Sequence, residues 1–132
     1  MIEEIKSVIN TVNTAADMMC AEASNDFREC NAVMQVALNR VDKFNQPLIK
    51  ILTAPHQFSL KCPPEWKRIT HYLLAIKAIQ DKQMNVPKWL TKDTLLFCTS
   101  RAAEKHNWFK KYKKVGKLRH FFFKKIQGVP QA

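Results

Sequence analysis

Apolar residues at Ile2, Ile5, Val8, Ile9, Val12, Ala16 and Met19 recur every three or four positions, the spacing of one helix face. The Asn10-Thr11 and Asn13-Thr14 pairs weaken that face. Thr14 can cap a second short helix over residues 15–23, so a boundary near Thr14 is expected. Asn25 or Asp26 can cap the next helix, whose core face would be Val33, Val36, Ala37 and Val41 with Arg40 on a neighbouring strip. Gln46-Pro47 opens a short helix through Leu48, Ile49, Ile51 and Leu52, because proline suits the first helical turn, and Ala54-Pro55 stops it. After a loop over 55–64, Pro63-Pro64-Glu65 begins the clearest helix. Trp66, Ile69, Tyr72, Leu73, Ile76 and Ala78 or Ile79 share its spacing, and it ends before Asn85 and Pro87. It is expected to be the central buried helix, with Trp66 and Tyr72 in the core. Residues 94–99 form a short apolar run that predicts a buried strand, and residues 118–123 supply a partner. Between them, 101–112 predicts a helical turn or a long basic loop around Trp108 and Phe109. The tail over 127–132, with Gly128 and Pro130, is expected to fray. There is no internal repeat, so the pattern predicts one α+β domain, mostly α, over 1–132, closed by a small C-terminal β-hairpin or two-stranded sheet.

Length agrees with that picture. At 132 residues and 46% hydrophobic content the chain can bury one sizeable core and is too short for two. The net charge of +11 is concentrated: residues 105–125 carry many lysines and no acid. Such a field draws a protein to polyanions, whether nucleic acid, anionic membrane or envelope polymer, or it simply solubilises one face. The start, Met1-Ile2-Glu3-Glu4, is acidic where a signal peptide is basic, and no apolar run approaches the ~20 residues that span a bilayer. Synthesis and retention in the cytoplasm are expected. Cys20, Cys30, Cys62 and Cys98 lack paired or zinc-finger spacing and, in a reducing compartment, are expected to be small buried hydrophobes.

The residue most out of place is Glu22. It lies between Ala21 and Ala23, just after Met18, Met19 and Cys20. A carboxylate held against apolar neighbours loses hydration, its pKa rises, and it becomes able to donate a proton near neutrality. The alternative is a solvated helix position, or a pairing with Arg28 or Arg40. If Glu22 and Asp26 share one helix they are a turn apart; if the chain turns at Ser24-Asn25 their separation is open. His56, His71, His106 and His120 join Cys62 and Cys98 as possible metal ligands, but no zinc spacing is present and no metal or other cofactor is expected. A Cys-His nucleophile pair is equally undirected.

The run Ala21-Glu22-Ala23, the acid Asp26, the helix closing in Asn39-Arg40-Val41, and then Gln57-Phe58-Ser59 resemble, in order and spacing, the cell wall hydrolases related to the spore-cortex-lytic enzymes. The resemblance extends from Ala15 to Lys125. It implies a lysozyme-like fold and cleavage of peptidoglycan glycan strands between N-acetylmuramic acid and N-acetylglucosamine, as a lytic transglycosylase or muramidase. The glutamate matching Glu22 would be the general acid and base. Asp26 stands where the family usually has glutamate, which implies a supporting hydrogen bond. Gln57, Phe58 and Ser59 match a turn that lines the substrate groove, Trp108 an aromatic before the final strand, and His120 the histidine that precedes the aromatic strand. The family's first strand often carries tyrosines and an asparagine; Leu96-Phe97-Cys98-Thr99 stands there here, with Thr99 as a substrate-binding candidate. Ser24-Asn25 replaces Arg-Gly.

A small basic monomer without export signal or wall anchor then suggests a phage-type endolysin. It would be made in the host cytoplasm, released to the wall or periplasm by a separate permeabilising factor, and held on anionic envelope polymers by its basic C-terminal region. The rival from another class is a nucleic-acid-binding module. Its basis is Trp108-Phe109-Lys110-Lys111-Tyr112-Lys113-Lys114 and Phe121-Phe122-Phe123-Lys124-Lys125, where cations track phosphates and rings stack on bases. No helix-turn-helix, RNA-recognition or zinc-finger pattern accompanies these runs, so no specific nucleic acid is expected.

Overall fold

The computed structural model describes residues 1–126, so the expected fraying of 127–132 falls outside the described residues. In order they form α1 (Ile2–Ala23), α2 (Phe27–Phe44), α3 (Leu48–Thr53), a 3-10 turn (Pro64–Trp66), α4 (Ile69–Asp81), β1 (Leu96–Cys98), α5 (Ser100–Lys105), α6 (Trp108–Lys111), β2 (Tyr112–Lys117) and β3 (Phe121–Lys125). The architecture is α+β and mostly helical, as the pattern predicts.

α1 does not break at Thr14. The Thr11 and Thr14 hydroxyls donate back to the Ser7 and Asn10 carbonyls, at 3.0 and 2.8 Å, so the polar pairs are absorbed within the helix. Only its C-terminal half enters the core, through Ala15, Ala16, Met18, Met19, Cys20 and Ala23, while Ile2, Ile5, Val8 and Ile9 stay exposed.

The central helix is α2, not α4. From Ala32 to Arg40 every residue of α2 is buried, which obliges its polar side chains to find partners. Gln35 Nε2 donates to Asn39 Oδ1 at 3.0 Å, and Gln35 Oε1 accepts the Met84 amide at 2.7 Å. Asn39 Nδ2 donates to the Thr91 and Thr94 carbonyls at 3.0 and 2.9 Å. These bonds hold the segment leading into β1 against α2. By contrast, α4 buries only His71, Ala75 and Ala78; Ile69, Leu73 and Ile76 face outward, and Trp66 is half-exposed in the 3-10 turn. The small alanines let α4 close on α1 and leave its larger side chains outside, so apolar periodicity there does not mark burial on all sides.

The sheet has three antiparallel strands in the order β1-β3-β2, one more than expected. β3 pairs with β1 through Phe97↔Phe122 and with β2 through Lys117↔Phe121. β2 escapes the pattern because Tyr-Lys-Lys-Val-Gly-Lys has no alternation of apolar residues, and a bulge between Lys114 and Gly116 shifts its register. Phe122 and Phe123 are both fully buried, on opposite faces. Phe122 packs on Trp89 and Phe97, Phe123 on Trp108 and Phe109, with ring centres 5.2–5.9 Å apart. Gly116 is required for this closeness: a Cβ there would run into the Trp89 indole.

The cysteines correct a further expectation. Cys20 and Cys62 are joined in a disulfide, with Cα atoms 5.7 Å apart, so two of the four are not free hydrophobes. The pairing links residues 42 apart in sequence that only the folded chain brings together. Among the described residues no helix is long and apolar enough to cross a membrane.

Candidate active site

Glu22 is the penultimate residue of α1, half-buried where the helix stops. The stop is a tight one. Ser24 takes φ 52°, ψ −126°, a conformation costly for a residue with a Cβ, and several bonds hold it there. Its amide donates to the Cys20 carbonyl at 2.9 Å, and the Asp26 amide donates to the Ala23 carbonyl at 3.1 Å. His71 completes the clamp. The Arg68 amide donates to its Nδ1 at 2.9 Å, so Nε2 carries the hydrogen and donates to the Ser24 carbonyl at 2.7 Å. The chain therefore turns at Ser24-Asn25, and Glu22 and Asp26 lie on different helices.

Burial pushes the Glu22 carboxyl above its ordinary value; the charge of His120 and the Ser59 amide oppose that shift without cancelling it. Three regions remote in sequence thus meet: the end of α1, the loop after α3 and the tip of the β2-β3 hairpin. Among the described residues Glu22 forms no ion pair, so neither Arg28 nor Arg40 neutralises it.

Arg40 has a different task. Its Nε donates to the Leu95 carbonyl at 2.7 Å, its Nη1 donates to Gln57 Oε1 at 2.9 Å, and its guanidinium lies 4.7 Å from the Phe58 ring centre. Burial lowers its pKa to about 10, which leaves it cationic near neutrality. Arg40 thereby fixes the Gln57-Phe58-Ser59 turn from beneath. The Cys20–Cys62 disulfide fixes the same loop from its other end, two residues before Glu22 and three after Ser59. Phe58 continues to Phe97 at 5.9 Å and Phe97 to the His120 ring, edge-on, at 5.1 Å, making an aromatic wall from loop to hairpin.

The hairpin tip is clamped as well. Glu29, in the first turn of α2, accepts the Arg119 and His120 amides at 2.9 and 2.8 Å and the His120 Nδ1 at 2.7 Å. Burial alone would raise the Glu29 carboxyl. The His120 ring and the two amides outweigh it and hold the carboxyl below its ordinary value.

The sequence candidates divide accordingly. Glu22, Ser59 and His120 come together, and Phe58 joins them through Phe97. Gln57 is exposed with its carbonyl engaged by Arg40, leaving its amide as the free group. Asp26 caps α2 by accepting the Glu29 amide at 3.2 Å. The Thr99 hydroxyl accepts the Ala102 amide at 3.1 Å and caps α5. Trp108 packs edge-on against Tyr112 and Phe123, each at 5.2 Å.

Sequence reasoning passed over Glu29, Arg40 as a loop anchor, and Phe97. The signal for the first two was present: Glu29, Val33, Val36 and Arg40 fall at i, i+4, i+7 and i+11, so both charges lie on the core face of α2 and must be paired there.

The free thiols give a nucleophile no support. Cys30 is pushed up to about 12 by burial and then by the Asp26 and Glu29 charges, and Cys98 to about 11 by burial, so both remain protonated at neutral pH. Among the described residues no cluster of three or more His, Cys, Asp or Glu side chains is arranged to hold a metal. A cavity of about 300 Å³ lies between α1, α2 and α4, lined by Val8, Thr11, Leu38, Val41 and Ile79. From Thr11 to Glu22 is ~16 Å along α1, so this apolar cavity is separate from the acid.

Residues 24–124 fit the family model described as Cell Wall Hydrolase. No curated protein and no solved structure matches the chain. The matched span includes the Gln57-Phe58-Ser59 turn, Glu29 and His120 and begins two residues after Glu22, so the case for Glu22 rests on its own surroundings.

Proposed function

Because the chain belongs to the cell wall hydrolase family, we propose that it cleaves the glycan strand of peptidoglycan between N-acetylmuramic acid and N-acetylglucosamine, with Glu22 as general acid and base. The family makes it an enzyme acting on the cell wall. The observation that carries the finer reading is the setting of Glu22: a half-buried carboxyl whose proton affinity is raised, beside the Ser59 amide and the His120 ring. A raised pKa makes Glu22 a better-matched donor to a leaving oxygen than an ordinary carboxyl.

The route follows from the carboxylates nearby. Hydrolysis with a second carboxylate needs it free at roughly 5–9.5 Å, to act on water or on the sugar. Asp26 is occupied in capping α2, and Glu29 accepts three hydrogen bonds from the hairpin tip. Internal ring closure needs no such partner. Glu22 donates its proton to the glycosidic oxygen as the C1–O bond breaks. The resulting carboxylate then takes the proton of the muramoyl 6-hydroxyl as O6 bonds to C1. Glu22 regains its proton, no water is consumed, and the product is a 1,6-anhydro sugar. Ser59, Phe58, the Gln57 amide, and more remotely Asp26, Thr99, Trp108 and His120 are the proposed substrate contacts and supports.

The lysines of 105–125 then serve to hold the enzyme on anionic envelope polymers. Trp108, Tyr112, Phe109, Phe121 and Phe123 are packed on one another, with Phe109 still about half exposed, and the lysines among them supply the positive charge that a polyanion would meet. A small, basic, monomeric endolysin of phage type, reaching the wall through a separate permeabilising factor, fits this reading. Mass spectrometry of the fragments released from purified peptidoglycan tests the route: anhydro-muropeptides support it, and reducing ends that carry oxygen from labelled water refute it.

A further inference from the structure

Glu29 has no part in the cleavage just described, yet it is the most fully engaged side chain near the acid. Its side chain is 1% exposed, and its two oxygens accept three hydrogen bonds from consecutive hairpin residues. An ionised carboxylate only accepts, so the hydrogen between Oε1 and the His120 ring belongs to Nδ1. That fixes the ring's tautomer and leaves Nε2 as its free nitrogen; among the described residues Nε2 has no hydrogen-bond partner. Three further features keep the geometry. Phe97 braces the ring edge-on at 5.1 Å, the Arg119 guanidinium donates to the Ala23 carbonyl at 3.4 Å, and the first-turn position of Glu29 favours a negative charge.

We propose that Glu29 is a positioning residue for glycan cleavage: it holds His120 with Nδ1–H on its carboxylate and Nε2 free beside Glu22. A second carboxylate thus serves the reaction through an imidazole and not by touching the sugar. The carboxylate that remains when Glu22 gives up its proton is stabilised by the adjacent ring in its imidazolium form, with a second hydrogen on Nε2 facing Glu22, and Glu29 holds that form in place by accepting Nδ1–H. The proton path is unchanged: it leaves Glu22 for the glycosidic oxygen and returns from the 6-hydroxyl.

This inference rests on the assignment of Glu22, and the experiment separates the two. Turnover of soluble glycan oligomers is measured for wild type, Glu22→Gln, Glu29→Gln and Glu29→Asp. The Arg119 and His120 amides use different oxygens of Glu29, so glutamine, with one acceptor oxygen, keeps at most one of them while the charge on the ring is lost, and the fold of the variant is therefore checked before its turnover. The expected result is a kcat reduced roughly tenfold or more in Glu29→Gln, KM within about twofold, and partial recovery in Glu29→Asp. A folded Glu29→Gln with wild-type kcat, or with a loss confined to KM, overturns the proposal, provided Glu22→Gln is inactive. Full turnover by Glu22→Gln overturns the acid assignment and the role of Glu29 with it. A second readout needs no variant. Nitrogen NMR of His120 in the wild-type protein is expected to show hydrogen on Nδ1, and a neutral ring protonated on Nε2 instead would overturn the proposal even if Glu29→Gln does not fold.

Discussion

Opening the Cys20–Cys62 disulfide should weaken the fold and loosen the site in separable ways. The bridge closes a loop of 42 residues, and on a chain-entropy view that removes about 4 kcal/mol of freedom from the unfolded state. For a chain of this length that corresponds to a fall in Tm of about 15 °C. The effect on turnover is smaller, because the loop has a second anchor. Arg40 still bonds Gln57 and still lies against the Phe58 ring when the bridge is gone, so Ser59 keeps an average position near Glu22 and loses only its restraint on the Cys62 side. Thermal unfolding of wild type with and without reductant, and of Cys62→Ser, reads the first effect. Peptidoglycan turnover well below every Tm reads the second, with a loss of roughly threefold to tenfold expected. An unchanged Tm on complete reduction, with both thiols trapped and counted, would refute the stabilising role. Abolished activity in folded Cys62→Ser would refute the argument that Arg40 holds the loop.

Two further expectations come from charge. Glu29 is held below its ordinary 4.5, so its contribution to stability is complete above that value and is lost as pH falls through the folded-state value; Glu29→Gln should flatten the acid limb of stability below 4.5, and a wild-type limb surviving in the variant would contradict this. Sedimentation of the protein with purified cell walls should decline steadily as salt shortens the reach of the lysines over 105–125, whereas binding indifferent to salt would remove the polyanion reading.

Much of the architecture is written locally. Asp26 before an amphipathic run, Pro47 immediately before the first turn of α3, and the apolar stretch before Thr99 each specify an element through a backbone or burial preference that neighbours cannot easily reverse. What stayed hidden depends on relations between elements. Periodicity shows that α2 and α4 each have an apolar face but not which one is enclosed, and alanines at 75 and 78 decide it by allowing close approach on one side only. β2 carries lysines on a bulged strand, so its pairing with β3 leaves no alternating trace. The disulfide joins positions that only the folded chain brings together. At the site, Glu22 was legible as an acid among apolar residues, and the resemblance supplied Ser59 and His120 as companions. Glu29 lies on the core face of α2, a position its spacing with Val33, Val36 and Arg40 makes legible, but a glutamate three residues after a helix cap also has an ordinary local role, and its partner, the hairpin tip, is set by the fold.

The most direct test is turnover of purified peptidoglycan by wild type and by Glu22→Gln. Because burial raises the Glu22 carboxyl, its ionisation lowers stability as pH rises above 4.5, so the glutamine variant should be at least as stable as wild type near neutrality and any lost activity cannot be put down to unfolding. The account predicts release of anhydro-muropeptides by wild type and none by a folded Glu22→Gln. Release at the wild-type rate by that variant would contradict it and move the chemistry to another carboxyl.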